Sequence, residues 1–324
     1  MTIAAALAEL AGGGVAVLAP EDPRAPCALV AAGERMSARA ANTMATHGHS
    51  LLSVCLPLAA YERLGLPPVD PDRAALRPFA ALQSIEASGR GVTTGISAAD
   101  RAATIRAAAA ADARPGSLRR PGHVLIAPVR DGGVLAARRL REAASDLALL
   151  VRSTPAAVIC PLLDAAGDAV PAAGAAAAAE RLGFPLVDVG QVLVERLRSG
   201  LQAHAIREDT LATASGRFRL IAYEDSWRGA AAVALAGTGP RHAGAGLASC
   251  RVCSLGGAGC GCQDRLETLM DTAAHTGGAV LRLARPSAAP LTPCADRTTD
   301  EAEQAYAARL AELVADDLGL AIAA

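Results

Sequence analysis

The chain has 324 residues, of which 52% are hydrophobic and 19% charged, and its formal net charge is −1. This length predicts two domains, and the composition is that of a globular protein rather than a disordered one. Nucleic-acid binding is not expected, because the charge is balanced and no basic stretch is long enough to follow a phosphate backbone.

The N-terminal segment MTIAAALAELAGGG predicts a short amphipathic helix, since it lacks the positive charge and the apolar core of a signal peptide. The alanine-rich stretch GDAVPAAGAAAAAERLG contains polar residues and a proline, so it is not expected to cross a membrane. We therefore expect a cytoplasmic protein. Its eight cysteines would be reduced there, and clustered cysteines would then bind metal rather than form disulfides.

Apolar runs of strand length alternate with alanine-rich helical stretches through roughly the first 200 residues. The predicted strands are VAVLA, SLLSVCLPL, GHVLIAPV, AAVICPLL and FPLVDV. The predicted helices are SARAANTMATHG, SAADRAATIRAAAAAD, LREAASDLALLVRS and GAAAAAERLG. Serine or aspartate stands near several helix starts, as capping requires, and the alternation predicts an α/β or α+β domain.

The pattern changes after VERLRSGLQAHAIRED. The segment GRFRLIAYEDSWRGAAAVALAG predicts two antiparallel strands around a turn, with alternation of apolar and polar residues in RFRLIAY. The segment EAEQAYAARLAELVADDLG predicts a final helix that ends at a glycine. We place the domain boundary near residue 205, which gives domains 1–204 and 205–324.

Three segments of the first domain resemble a known family. GRGVTTGISAADRAATIRAAA, residues 89–109, together with RPGHVLIAP and GGVLAARRLREAASDLALL, is similar to 3,4-dihydroxy-2-butanone 4-phosphate synthase of riboflavin biosynthesis. The resemblance covers roughly residues 10–200. From GRFRLIAYEDSW onward the chain resembles, more weakly, a truncated GTP cyclohydrolase II domain. The resemblance implies an α/β (α+β) first domain, a smaller α+β second domain and a homodimer with pockets near its interface.

The resemblance also implies a reaction that converts ribulose 5-phosphate to dihydroxybutanone phosphate and formate with the help of magnesium. The family holds the metal through an acidic loop and a histidine, and both have changed here. Glu21 and Asp22 remain, but Arg24 stands at the metal-binding glutamate and Leu140 at the histidine. A further catalytic glutamate is replaced by Pro161. Magnesium is therefore expected from the family, while its ligands are not retained.

Several candidate residues remain, each with a structural alternative. His123 in RPGHV is the catalytic candidate, or a histidine that only packs its loop, and Glu86 stands where the family has an aspartate. In the loop TTGISAADR, the substrate-binding candidates are Thr93, Thr94 and Asp100, although Ser97 and Asp100 would serve equally as helix caps. Arg24, Arg138, Arg139 and Arg141 either hold a phosphate or carboxylate without metal, or are solvated and paired with Glu21, Asp22 and Glu142. Glu142 is itself the last substrate-binding candidate.

The second domain contains a cysteine cluster, SCRVCSLGGAGCGCQDRLE. Its spacing predicts a zinc site formed by Cys250, Cys253, Cys260 and Cys262. Four thiolates would close the coordination shell and make the zinc structural, so GTP cyclohydrolase II activity is not expected. Four free cysteines and an iron–sulfur cluster are the alternatives.

Two functions follow from these observations. The first is a diverged synthase homologue that acts on ribulose 5-phosphate or a related sugar phosphate in riboflavin-type or specialised metabolism, with the parent activity impaired or changed. The second is a non-catalytic regulatory paralogue that binds sugar phosphate or the true riboflavin enzyme. The unchanged parent activity is disfavoured because its metal ligands are missing.

Overall fold

The computed structural model describes residues 3–66, 83–89, 91–227, 229–250, 262–283 and 301–323. The chain forms two compact units, Met1–Arg196 and Leu197–Ala324. The division between them falls within the helix Val189–Gly200, earlier in the chain than the predicted boundary near residue 205.

In unit 1, strands and helices alternate along the described residues. The helices are α1 (Ile3–Ala11), α2 (Ala38–Gly48), α3 (Leu58–Arg63), α4 (Ala98–Ala109), α5 (Leu140–Leu150), α6 (Ala175–Leu182) and α7 (Val189–Gly200), which continues into unit 2. The strands are β1 (Ala16–Ala19), β2 (Ala28–Ala32), β3 (Ser53–Pro57), β4 (Gln83–Ala87), β5 (Leu118–Val129), β6 (Ala157–Pro161) and β7 (Leu186–Asp188).

These strands form one mixed sheet in the order β4-β5-β3-β6-β2-β1-β7. The pairs β1/β7 and β3/β5 are parallel and the other neighbours are antiparallel. Every residue of β1 and β2 is buried, as expected for strands covered by helices on both faces. The predicted α/β fold class of the first domain is confirmed.

Two serines begin helices in unit 1 as the sequence predicts. Ser37 Oγ accepts a hydrogen bond from Ala40 N at 3.0 Å, and Ser97 Oγ accepts one from Asp100 N at 3.0 Å. These bonds satisfy amide groups that have no partner inside the helix. Ser97 is therefore the cap of α4, which leaves the side chain of Asp100 available for the loop that precedes the helix.

In the described part of unit 2, a second mixed sheet has the order β13-β11-β12-β10-β9-β8. Its elements are β8 (Ala203–Thr213), β9 (Gly216–Asp225), β10 (Gly229–Gly237), β11 (Gly246–Cys250), α8 (Cys262–Thr276), β12 (Ala279–Leu283), α9 (Glu301–Leu318) and β13 (Ala321–Ile322). β9 and β10 pair antiparallel, which confirms the predicted hairpin. α9 ends before Gly319, whose φ of +61° suits glycine.

Within the described residues, no helix has both the length and the apolar character needed to cross a bilayer.

Candidate active site

The loop TTGIS, which precedes α4, is held by one buried carboxylate. Asp100 Oδ2 accepts hydrogen bonds from Thr93 Oγ1 at 3.0 Å, Gly95 N at 3.1 Å and Thr93 N at 3.3 Å. Burial alone would raise the pKa of Asp100, but the donors from Thr93 and Gly95 together lower it. Asp100 therefore fixes the shape of the loop, while the exposed Thr94 faces solvent.

Beside this loop, β4 and β5 bring together the candidate acid–base residues. His123 Nδ1 lies 3.6 Å from Glu86 Oε1, and the histidine side chain is 43% exposed. A Cβ atom on Gly95 would lie only 1.3 Å from Glu86 Oε1 and 2.7 Å from His123 Nδ1. Only a glycine lets the loop approach this pair so closely, and its φ of +77° also favours glycine.

A separate cavity of about 300 Å³ lies between the loop after β1, the end of β5 and the first turn of α5. It is lined by Pro20, Glu21, Asp22, Ala25, Pro26, Pro128 and residues 138–142. The candidates Arg138, Arg139, Arg141 and Glu142 therefore lie together. Arg24 is not among the lining residues, and its side chain is 91% exposed.

The two acids of the loop after β1 are both engaged by arginines. Arg138 Nη2 donates to Glu21 Oε1 at 2.6 Å. Arg24 N donates to Asp22 Oδ1 at 3.0 Å, and this backbone hydrogen bond is the largest reason why the pKa of Asp22 is lowered. Glu21 is thus paired with a guanidinium, and Asp22 is held mainly by a backbone amide, with the exposed Arg24 Nε 3.5 Å from its Oδ1.

Glu142 is the third acid of the cavity and the most buried, with 4% of its surface exposed. Its Oε1 accepts a long hydrogen bond from Arg130 N at 3.5 Å. Its Oε2 is buried and has no hydrogen-bond partner in the described part of the chain. Burial raises the pKa of Glu142, and the nearby Arg139 and Arg141 only partly oppose that effect.

Behind Glu142, one helical turn further along α5, lies a buried ion pair. Asp146 is 1% exposed, and its Oδ1 lies 3.1 Å from Arg196 Nε. Its Oδ2 accepts a hydrogen bond from Val134 N at 2.7 Å. Burial nevertheless raises the pKa of Asp146 to about 6. Sequence reasoning missed this pair, although the spacing of Glu142 and Asp146 by four residues places both acids on one face of the helix.

The ligand set of the cavity can be compared with what magnesium requires. Hard divalent cations take several carboxylate or carbonyl oxygens. In the described ranges, no group of three or more His, Cys, Asp or Glu side chains is arranged to hold a metal ion. Leu140 supplies an apolar side chain at the position of the predicted family histidine, and three guanidiniums line the same wall. Three carboxyl groups, those of Glu21, Asp22 and Glu142, share the cavity with these guanidiniums.

Within one chain, the cavity and the His123–Glu86 pair are apart. His123 and Pro128 both belong to β5 and are separated by five residues, or roughly 17 Å of extended strand. The structure thus groups the candidates into two clusters: Glu86, Thr93, Asp100 and His123 in one, and residues 138–142 with the loop after β1 in the other.

In unit 2, two of the four predicted zinc ligands are described. Cys250 ends β11 and is buried, and Cys262 begins α8. Burial raises the pKa of Cys250, and the charge of Cys262 acts in the same direction, so the two sulfurs interact electrostatically. Cys253 and Cys260 lie outside the described residues.

Comparison with known proteins places unit 1 in context. Residues 4–195 match the family model of 3,4-dihydroxy-2-butanone 4-phosphate synthase. The chain is 35% identical over 194 residues to the enzyme of that name from Pasteurella multocida, covering 60% of this chain and 90% of the relative. It is 34% identical over 208 residues to the riboflavin biosynthesis protein RibBA of Aquifex aeolicus, covering 64% of this chain and 51% of the relative.

Solved structures extend the likeness to both units. A crystal structure of RibBX, a two-domain 3,4-dihydroxy-2-butanone 4-phosphate synthase from A. baumannii, matches with a TM-score of 0.67 and 25% identity, over 99% of this chain and 91% of that one. A synthase solved in complex with two magnesium ions matches with a TM-score of 0.54 and 29% identity, over 61% of this chain and 98% of that one.

Proposed function

Because this chain belongs to the 3,4-dihydroxy-2-butanone 4-phosphate synthase family, we propose that unit 1 binds ribulose 5-phosphate or a related sugar phosphate without catalysing the magnesium-dependent parent reaction. In this proposal the chain is a diverged homologue of riboflavin-type or specialised metabolism. The proposal that magnesium is not used rests on two acids of the cavity, which already have partners in this chain. Glu21 is paired with Arg138 at 2.6 Å, and Asp22 accepts a hydrogen bond from Arg24 N.

The intact TTGIS loop supports the binding of a sugar phosphate. Asp100 orders it through three hydrogen bonds from Thr93 and Gly95, and Thr94 remains exposed to a ligand. A loop ordered before the ligand arrives binds with a smaller loss of conformational entropy. Neutral hydroxyls and backbone amides suit the oxygens of a sugar phosphate.

The His123–Glu86 pair supports retained acid–base chemistry. A half-exposed imidazole next to a carboxylate can accept a proton from a carbon beside a ketone and return it to an oxygen. Glu86 Oε1, at 3.6 Å from Nδ1, is placed to orient the imidazole ring. Magnesium, where a family member binds it, would polarise that ketone, and we propose that this chain works without it.

The test is an assay of the full chain with ribulose 5-phosphate and magnesium, following formate, alongside calorimetric titration of the same sugar. We expect binding without formate, and we expect the variant His123→Gln to keep the binding. Formate at the rate of a genuine synthase assayed in parallel would refute the proposal. Neither binding nor formate would favour a changed substrate or the regulatory paralogue, for which co-purification with the genuine synthase is the next test.

A homodimer is part of the proposal, because the two clusters of unit 1 lie apart within one chain. Two copies would allow His123 of one protomer to serve the cavity of its partner. Light scattering on the eluting peak of a gel-filtration column should give twice the chain mass of 32.5 kDa. A monomer with sugar-phosphate affinity would contradict this part.

A structural zinc ion in unit 2 is also proposed, within a degenerate domain like GTP cyclohydrolase II. The interaction of Cys250 with Cys262 and the spacing of the four predicted ligands support it. Elemental analysis of purified protein should give about one zinc per chain. Cys250→Ser should lower that content, whereas Cys55→Ser, in the core of unit 1, should not.

A further inference from the structure

We propose that the cavity of unit 1 binds an oxyanion directly, in the place where the family resemblance implies a magnesium ion. The guanidiniums of Arg138, Arg139 and Arg141 would hold the anion, and the carboxyl of Glu142 would donate a hydrogen bond to it. This inference rests on the proposed function and deepens it, since it names the chemistry of one subsite.

The charges around the cavity favour an anion. Three arginines line the cavity with three acids, and a protonated Glu142 would leave three positive charges against two. The pair of Glu21 with Arg138 is half-exposed, so Glu21 can turn to solvent when a stronger anion arrives. Guanidinium groups bind phosphate and carboxylate through paired N–H donors, which a divalent cation cannot use.

The start of α5 adds to this preference. The helix has 11 residues, and its N-cap, Arg139, makes no side-chain capping hydrogen bond. Amide groups in the first turn of a helix point away from its body, and the helix dipole favours negative charge there. The lining residues 138–142 span this turn, so the first turn of the helix and the arginines border the same cavity.

Glu142 is the independent sign of a missing ligand. Its Oε2 is buried and has no partner in the described residues, and its Oε1 accepts a long bond from Arg130 N at 3.5 Å. A buried carboxyl oxygen without a partner is costly, so a ligand or an ordered water is expected to complete it. Burial also raises the pKa of Glu142, which favours the protonated form that can donate to an oxyanion.

The volume of about 300 Å³ accommodates a phosphate group together with a few further atoms. The ligand group is therefore either a phosphate or a carboxylate of a small molecule. Two probes separate these sources: inorganic phosphate and malonate, each titrated calorimetrically into the full chain with EDTA present. Binding of either one supports the inference and identifies its source, and binding of neither overturns it.

Arginine variants show where the probe binds. Arg139 is exposed, so Arg139→Met should fold normally and weaken binding of the probe at least tenfold. Arg141→Met should weaken it as much, with circular dichroism confirming that this buried position tolerates the change. Arg181→Met, on the exposed face of α6, removes the same charge elsewhere and should change the affinity less than twofold. Equal effects of all three variants would mean non-specific attraction and would overturn the inference.

Glu142 is tested with two variants of similar size. Glu142→Gln keeps a donor and should leave the probe affinity within about threefold of the parent protein. Glu142→Leu removes the donor and should weaken binding about tenfold. An ionised Glu142 would instead repel the anion, so tighter binding by both variants would contradict its assigned role.

Failure of this inference can be told apart from failure of the proposed function. If ribulose 5-phosphate binds and neither phosphate nor malonate does, the oxyanion subsite is wrong while the sugar-phosphate site stands. If magnesium supports formate release, the proposed function itself fails.

Discussion

Asp100 and Glu142 are buried to the same degree in the same unit, at 3% and 4% exposure, yet their pKa values shift in opposite directions. Asp100 receives three hydrogen bonds from its own loop, and its pKa is lowered. Glu142 keeps one buried oxygen without a partner in the described residues, and its pKa is raised. The chain itself supplies the hydrogen-bond donors for Asp100. In our proposal, a bound ligand supplies the missing partner for Glu142.

The same contrast separates the two clusters of unit 1. The loop around Asp100 carries the TTGISAADR motif that resembles the family, and internal hydrogen bonds fix its conformation. The cavity around Glu142 is lined by arginine, leucine and proline beside its acids, and Glu21 pairs with the guanidinium of Arg138. The following four changes test this contrast, from the largest expected effect to the smallest.

Asp146 should make stability depend on pH. Its folded pKa of about 6 lies above its ordinary value of 3.8, so the folded chain binds the extra proton between these values. Its stabilising contribution is therefore full below pH 3.8 and is lost as the pH rises through 6. The difference corresponds to about 3 kcal/mol. Asp146→Asn should remove this component, which urea denaturation between pH 4 and pH 7 would measure.

The control for this prediction is Asp131→Asn, which changes an exposed aspartate nearby in the chain. Its curve of unfolding free energy against pH should run parallel to that of the parent. If the Asp146→Asn curve were parallel as well, the raised pKa would be contradicted.

Asp100→Asn should destabilise the TTGIS loop. The amide nitrogen would face donors from Thr93 and Gly95, which would lose their charged acceptor. We expect a loss of about 2 to 3 kcal/mol in the free energy of unfolding, with weaker sugar-phosphate binding. Asp112→Asn, at an exposed position, should cost less than about 0.5 kcal/mol. Similar losses for both variants would show that the loop is not held by this carboxylate.

Gly95→Ala should displace the loop from the His123–Glu86 pair. Both Gly95 and Gly91 have positive φ, but a Cβ on Gly91 would meet nothing within 4 Å. Both alanine variants therefore carry the same kind of backbone strain, about 1 kcal/mol, and only Gly95→Ala adds a steric clash of roughly 1 to 2 kcal/mol. Thermal unfolding of the two variants side by side gives the difference, and equal melting temperatures would exclude close contact at Gly95.

Glu21→Gln should hardly change stability, because its pair with Arg138 is half-exposed and contributes about 0.5 kcal/mol or less. The released Arg138 should then bind inorganic phosphate about threefold more tightly. Glu180→Gln, which removes an exposed acid on α6, should leave phosphate affinity unchanged. Weaker phosphate binding by Glu21→Gln would place Glu21, rather than the arginines, at the ligand.

Much of this fold follows from local sequence pattern. The predicted strand VAVLA and the final helix both appear, because apolar runs and alanine-rich segments report burial and helix propensity directly. β8 was not predicted, since nearly all of its residues are exposed and it carries no alternation of apolar and polar side chains. β4 is short and only partly buried, and its position at the sheet edge depends on pairing with a distant β5.

The candidate sites, too, were predictable from the sequence only in part. The motifs TTGISAADR and RPGHV were enough to identify Asp100, Thr93 and His123 as candidates. The changed loop after β1 and the segment 138–141 had already indicated an arginine-rich site. The sequence could not show that Arg24 points to solvent while Arg141 is buried, because both follow from packing between distant segments. Nor could it show the unpartnered oxygen of Glu142 or the pair of Asp146 with Arg196, which need the positions of surrounding atoms.

The most direct test of the central claim is a crystal of the full chain grown with phosphate and then soaked with manganese, measured for anomalous scattering. The account predicts tetrahedral density against Arg139 and Arg141, with no manganese peak in the cavity. A manganese ion coordinated by Glu21, Asp22 or Glu142 would contradict the account, because the cavity would then still be a cation site.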